Sequence, residues 1–174
     1  MRAHMRAQDE AAIVACIPSL RRYARGLTSH RERADDLVQD TLERAWGRFS
    51  MWQQRGEVRA WLFAVMHNLF IDRVRSQRSR PEDSAGDALP ETPERATQSD
   101  RLELRDLVRG LERLPHEQRE VLLLVGVEEL GYRAVAAVIG VPIGTVMSRL
   151  SRGRERLRAE LDGRTAVSKM QRVK

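Results

Sequence analysis

One cysteine stands in 174 residues, aromatic side chains make up 5% of the chain, and no apolar run approaches the length of a bilayer span. Each scarcity excludes something. The lone Cys16 has no partner for an internal disulfide and sits in an apolar stretch, which suits a reducing compartment. A membrane helix needs about 18 consecutive apolar residues. None is present, and residues 1–30 lack the apolar core of a secretory signal. The expectation is therefore a cytoplasmic protein without membrane insertion. His4, His30, His67 and His116 are dispersed, none pairs with Cys16 at metal-ligand spacing, and no glycine-rich loop follows a strand. Neither a metal, nor a cofactor, nor catalytic chemistry is expected, and His67 reads as a helix-surface residue.

Charge is plentiful instead. Lys and Arg number 31 against 25 Asp and Glu, a balance of +6 with a pI near 10.5. Such a surface favours a polyanionic partner without specifying a fold. The 41% hydrophobic content supplies one ordinary core or two small ones.

Apolar residues recur at helical spacing throughout, so the expected class is all-α. Ile13, Ile17, Leu20, Tyr23, Ala24 and Leu27 mark a first helix ending near Thr28 and Ser29, with Pro18 a candidate bend. Over 33–46, Ala34, Leu37, Val38, Thr41, Leu42, Ala45 and Trp46 are assigned to an apolar face. Asp36, Asp40 and Glu43 form an acidic one. Periodicity fails over 47–58, which reads as a loop carrying Trp52. Residues 59–75 are helical again, with Leu62, Val65, Met66, Leu69 and Phe70 inward and Trp61, Asn68, Asp72 and Arg75 along one stripe.

Composition then changes. Residues 81–100 hold three prolines and six acids against Arg95 alone, the signature of a mobile linker. Beyond it, Leu104, Leu107, Val108, Leu111 and Leu114 define a helix stopped by Pro115, and 117–127 a strongly apolar one. A short helix over 132–139, a turn through Gly140, Val141 and Pro142, and a helix over 143–161 complete a helix-turn-helix. The last helix turns Val146, Leu150, Gly153, Leu157 and Leu161 inward. Thr145, Ser148, Arg149, Arg152 and Arg156 lie opposite. A helix of this kind fits the major groove, its first residues reaching bases and later arginines reaching phosphates. It lacks the Trp and Phe of a membrane-surface helix.

The stretches YRAVAAVIGVPIGTVMSRLSRGRERLR and RLPHEQREVLLL resemble the C-terminal DNA-binding domain of the extracytoplasmic-function (ECF, group 4) sigma factors of the sigma-70 family. ADDLVQDTLERAW resembles the family's core-polymerase-binding segment, and RAWLFAVMHNLFIDRVRS its promoter-melting and −10-reading segment. The resemblance implies a sigma-2 domain at 1–80, a flexible acidic linker at 81–100, a sigma-4 domain at 101–162 and a basic tail at 163–174. It implies promoter-specific initiation by a chain that is monomeric when free, with bacterial RNA polymerase core and promoter DNA as partners and an anti-sigma factor covering both DNA-facing surfaces. Asp35, Asp36, Gln39, Asp40 and Glu43 would dock on polymerase. Trp61, Asn68, Asp72, Arg73 and Arg75 would serve the −10 element, with Trp61 either packing the helix start or stacking on a base. Thr145, Met147, Ser148, Arg149 and Arg152 would read the −35 element, and Arg78, Arg80, Arg154 and Arg156 would hold phosphates.

Three residues depart from the family's usual pattern. Met147 stands where Lys or Arg is common, Ala134 where Glu is common, and Trp52 where a smaller or polar residue is expected. Without the resemblance, the acidic face of 33–46 is read as a solvated face. Two other readings stay open: a helix-turn-helix regulator acting without polymerase, and a sigma-like decoy that sequesters a regulator.

Overall fold

The computed structural model describes residues 7–52, 57–79 and 98–171; Arg80 and the expected linker over 81–97 lie outside the described residues. Every regular element among them is helical. In α1 (Ala7–Thr28), Ile13, Leu20, Tyr23, Ala24 and Leu27 share one face, and all five are buried. Pro18 sits exposed inside this helix, which continues across it. Cys16 is buried too, and burial pushes its thiol pKa up while Arg59 pulls the other way. The helix closes at Ser29, whose φ of 59° turns the chain and lets its N–H donate to the Arg25 carbonyl at 3.0 Å.

The next helix, α2 (Arg31–Trp52), is longer than its apolar periodicity indicates. Residues 47–52 were expected in a loop; they continue the helix because packing holds them there. Trp52 stacks on Trp61 with ring centroids 5.3 Å apart, and Phe49 meets both rings, at 5.5 and 6.2 Å. Tertiary contacts of this kind extend helices beyond what local propensity supports. A second correction concerns Trp46. Assigned to the apolar face, it is 53% exposed, while Ala34, Leu37, Val38, Thr41 and Ala45 form the buried stripe. Thr41 is tolerated there because its hydroxyl donates to the Leu37 carbonyl at 2.6 Å. The third helix, α3 (Val58–Ser79), buries Leu62, Phe63, Val65, Met66, Leu69 and Phe70 and closes a three-helix bundle.

The C-terminal half comprises α4 (Gln98–Glu112), α5 (His116–Leu122), a π-helical segment Leu123–Val127, α6 (Tyr132–Ile139) and α7 (Ile143–Gln171). Residues 98–100, expected in the linker, thus open α4, and the backbone of α7 stays helical beyond 161, the end expected for it. Between α6 and α7, Gly140 adopts φ 67°, a left-handed conformation that costs other residues more, and the Val141 N–H bonds the Ala136 carbonyl at 3.1 Å. The two helices cross at 102°, the geometry of a helix-turn-helix.

The two halves pack against one another through α1 and α3 on one side and α5, the π segment and α6 on the other, and their buried residues form one continuous cluster. Gly26 permits the contact: a Cβ there would stand 2.6 Å from a Leu123 methyl. Two carboxylates lie in this seam, Glu120 and Glu128, each 1% exposed. Their partners come from the other half. The Tyr23 hydroxyl donates to Glu120 at 2.7 Å, and His67 Nδ1 approaches the same oxygen at 2.6 Å. Arg22 and Arg59 reach Glu128 at 3.1 and 2.8 Å, and Arg59 also donates to the Glu128 carbonyl at 2.8 Å. In return Arg119 donates to the Leu27 carbonyl at 3.1 Å. His67 is thereby a seam residue and not a surface one.

A buried carboxylate whose cations are deleted must find water. Removing Arg22 and Arg59 together should part the halves at the seam, so that small-angle scattering records a larger radius of gyration with helicity retained. An unchanged radius would show that Glu128 does not depend on them. Tyr23 gives a separate check. Burial first, then the Glu120 charge and hydrogen bond, raise its pKa well above the ordinary phenolic value. The resulting stabilisation is complete below pH 10 and is lost as pH rises through the elevated value. Of the two tyrosines, Tyr23 should therefore develop phenolate absorbance only as the seam opens or the chain unfolds in alkali.

Candidate functional site

Three polar surfaces occupy three different helices. On α2, Asp35, Asp36, Gln39, Asp40 and Glu43 are all exposed. Gln39 Nε2 donates to Glu43 Oε1 at 3.0 Å, which orients that pair. Asp40 behaves differently, because it receives Arg73 from α3 at 2.5 Å. This partly exposed pair is worth on the order of 1 kcal/mol or less, so it positions Arg73 more than it stabilises the fold. Arg73 also donates to the Arg33 carbonyl at 3.4 Å. The α2 surface and the stripe on α3 are thus joined through one guanidinium.

On α3, the structure brings Asn68, Asp72 and Arg75 together as an exposed stripe. Trp61 opens that stripe half-buried, one face of its indole covered by Trp52. The same stack gives Trp52 the packing place that sequence reasoning did not find for it. Arg59 lies on the side of α3 opposite this stripe, and His67 about a quarter turn from it; both face the seam. One helix therefore serves the bundle core, the seam and an outward polar surface. The Arg78 side chain lies outside the described residues, as does all of Arg80.

On α7, Val146, Leu150 and Gly153 are buried and set the helix rotation. Met147, Arg152, Arg154 and Arg156 are exposed; Thr145, Ser148 and Arg149 are half-buried. The Ser148 hydroxyl donates to the Thr145 carbonyl at 3.0 Å. Ser151 and Glu155, which sequence reasoning did not single out, are exposed as well, so the outermost face runs through Ser148, Ser151, Arg152 and Glu155. Tyr132, at the start of α6, joins Met147, Leu150, Ser151, Arg154 and Arg158 around a shallow open depression. Ala134 is half-buried on the same short helix. Among the described residues, no group of His, Cys, Asp and Glu is placed to hold a metal ion.

An exposed cationic helix following a 102° helix-turn, with a separate helical bundle carrying acidic and polar faces, corresponds to a known pairing of domains. The model for the sigma-2 domain of PhyR matches residues 13–67, and that for sigma-70 region 4 matches 104–157. The ECF RNA polymerase sigma factor EcfG of Rhodopseudomonas palustris is 39% identical over 149 residues, covering 86% of this chain and 82% of that protein. The chain belongs to the ECF sigma factors. The sigma factor SigC of Mycobacterium tuberculosis is 36% identical over 134 residues, 74% of this chain and 70% of its own length. In three dimensions, the sigma factor RpoE of Bartonella quintana, solved in complex with the anti-sigma factor NepR, has a TM-score of 0.79 at 30% identity. That likeness covers 89% of this chain and 97% of the other.

Within this sigma factor, further features escaped the sequence. Trp46 stands at i+3 from Glu43 and i+7 from Gln39, so a stricter helical wheel places it on the acidic side. Glu120 and Glu128 sit in or beside an apolar segment, the one available signal of buried carboxylates. Arg22 and Arg59 carried no signal, since their partner Glu128 is 106 and 69 positions away.

The residues expected to read DNA differ in exposure, Arg152 being exposed and Arg149 and Ser148 half-buried. Arg152→Ala should weaken binding to a −35 duplex about tenfold at fixed salt, in line with the loss of one good polar contact. Arg149→Ala should cost less, and Ser148→Ala least, because its hydroxyl is already engaged. If Arg149→Ala weakens binding more than Arg152→Ala in a titration by fluorescence anisotropy, the DNA-facing side of α7 is rotated from this assignment.

Proposed function

We propose that this sigma factor docks on core RNA polymerase through the acidic surface of α2, reads and opens the −10 element through α3, and reads the −35 element through α7, all after the seam has parted. The observation that carries the reading is the outward exposure of all three surfaces while the seam buries Glu120 and Glu128. An acidic α2 surface complements a basic partner. The Asn68 amide both donates and accepts at a base edge, and Asp72 and Arg75 share its stripe. Trp61, stacked on Trp52, acts here as a positioning residue for the helix start. The arginines at 154 and 156 suit phosphates, as do those at 78 and 80 by their place in the chain. Nucleotide addition belongs to the polymerase, and the chain works where the polymerase works, in the cytoplasm.

The need for opening follows from lengths. The centres of the −35 and −10 elements lie about 25 base pairs apart, or about 85 Å at about 3.4 Å per step. A compact chain of 174 residues has a radius of gyration of about 16 Å and spans about 40 Å. Closed, it reaches one element at a time. An anti-sigma factor that favours the closed packing would therefore silence initiation without blocking every surface.

Transcription of fragmented genomic DNA by core polymerase, with and without the protein, tests the function. New start sites sharing two sequence elements are expected; core binding without new starts would favour a decoy, and DNA binding without core binding a simple regulator. A reversible lock tests the opening. In a Cys16→Ala background, Gly26→Cys with Leu123→Cys should form a disulfide across the seam. The oxidised protein should initiate poorly and recover with reductant; equal initiation in both states would remove the opening step from the mechanism.

A further inference from the structure

Between α5 and α6 the chain buries a carboxylate and exposes the valine beside it, the reverse of what the two side chains favour. Glu128 is 1% exposed and Val127 is 47% exposed. The cause is local. Leu123–Val127 is wound as a π turn, and the Glu128 N–H donates to the Leu123 carbonyl, five residues back, at 2.9 Å. In an ordinary α-helix, at about 100° per residue, Val127 would lie about 40° from Leu123 and Glu128 about 140° from it. Leu123 faces the seam, where its methyls close on Gly26. An α winding would therefore turn Val127 toward the seam and carry Glu128 away from it. The π turn accommodates one extra residue, and that residue decides which of the two side chains the other half meets.

A second irregularity follows at once. Glu129 has φ 55°, a left-handed conformation that a side chain makes costly. It lets the Leu130 N–H close the helix end on the Leu124 carbonyl at 2.9 Å. The grip on this segment comes from the other half of the chain: Arg22 and Arg59 both bond the Glu128 carboxylate, and Arg59 bonds the Glu128 carbonyl as well. We propose that residues 123–129 form a register switch coupled to the seam, π-wound with Glu128 inward while the halves are closed, and α-wound with Val127 in its place once Arg22 and Arg59 let go. The inference rests on the reading that the chain works after the seam has parted. Rewinding absorbs the extra residue, so the chain that follows moves about 1.5 Å along the helix axis and about 100° round it. An α-wound segment offers the two arginines a valine where they need an acceptor. The seam then recloses only after the π turn has formed again, which makes opening a two-state event, and a partner that prefers either winding shifts the balance between them.

The test is nuclear magnetic resonance on the isotopically labelled full chain, reading which carbonyl is coupled through its hydrogen bond to the Glu128 amide nitrogen. In the parent the coupling should fall on Leu123. In the double variant Arg22→Ala, Arg59→Ala it should move to Leu124, the α partner. A coupling that stays on Leu123 while scattering shows the halves parted overturns the switch and leaves the opening intact. A coupling that stays on Leu123 with the radius of gyration unchanged removes the opening itself, and the switch with it. Deletion of Val127 supplies a functional readout. It takes out the residue that the widened turn accommodates, so Glu128 keeps its place at the seam in a plain α turn and closing no longer requires rewinding. The deleted chain should keep the parent's radius of gyration and initiate about tenfold less, as expected when the closed state gains over the open one. Parent-level initiation by a deleted chain that folds and closes also overturns the switch. The coupling measurement needs no deletion, so it decides the matter even where the shortened chain does not fold.

Discussion

Two carboxylates on one half of the chain, Glu120 and Glu128, are buried only because the other half brings hydroxyl, imidazole and guanidinium groups to meet them. Taking a carboxylate out of water costs several kcal/mol unless opposite charge and hydrogen bonds replace the solvent. That requirement sets the register of α1 and α3 against α5 and the π segment more narrowly than apolar contact does, since a slide of a few ångströms would strand the charges. The π segment is part of the arrangement. Its widened turn, with the Glu128 N–H bonded to the Leu123 carbonyl at 2.9 Å, delivers Glu128 to Arg22 and Arg59 at the point where α5 would otherwise have run on. Gly26 supplies the matching clearance on α1.

A seam built this way differs from a core. The side chains of Arg22 and Arg59 keep 54% and 34% of their exposure while bonded to Glu128. On parting, those cations and both carboxylates return to water, which solvates them well. The apolar contacts across the seam, α3 against α6 as well as Leu123 against Gly26, are lost at the same time. A partner that binds one of the two arrangements more tightly than the other shifts the balance between them by that difference in affinity. Because α2, the outer stripe of α3 and the outer face of α7 point away from the seam, the closed state, in the mechanism proposed, would act by holding surfaces too close together. It need not cover any of them.

How far the chain could be read from its letters follows the same division. Elements whose faces are settled by their own periodicity were legible: α1, α6, the turn at Gly140, the inward residues of α3 and the buried stripe of α7. Residues settled by partners far along the chain were not. Trp52 belongs to a helix because Trp61 stacks on it, and a loop reading was the natural one for a stretch containing Gly47 and no apolar repeat. His67 looks like a surface histidine until Glu120 is placed beside it. The outer stripe of Asn68, Asp72 and Arg75 was legible as a pattern, yet its meaning came from the family resemblance, since nothing in a row of polar side chains names the molecule that covers it.

Where the family commonly carries a cation, α7 has Met147, 52% exposed and lying with Tyr132 at the edge of a shallow depression. Arg152 and Arg154 are retained, so loss of that cation trims base discrimination more than it trims general affinity, which follows the number of phosphates neutralised. Glu155 on the same exposed face opposes phosphates and suits only a donor such as the cytosine amino group. A helix that sets a methionine and an acid among its arginines has fewer strong ways to bind an arbitrary duplex than an all-cationic one. In the mechanism proposed, a weaker grip on DNA at large would leave the choice of promoter to the simultaneous fit of both elements by the opened chain.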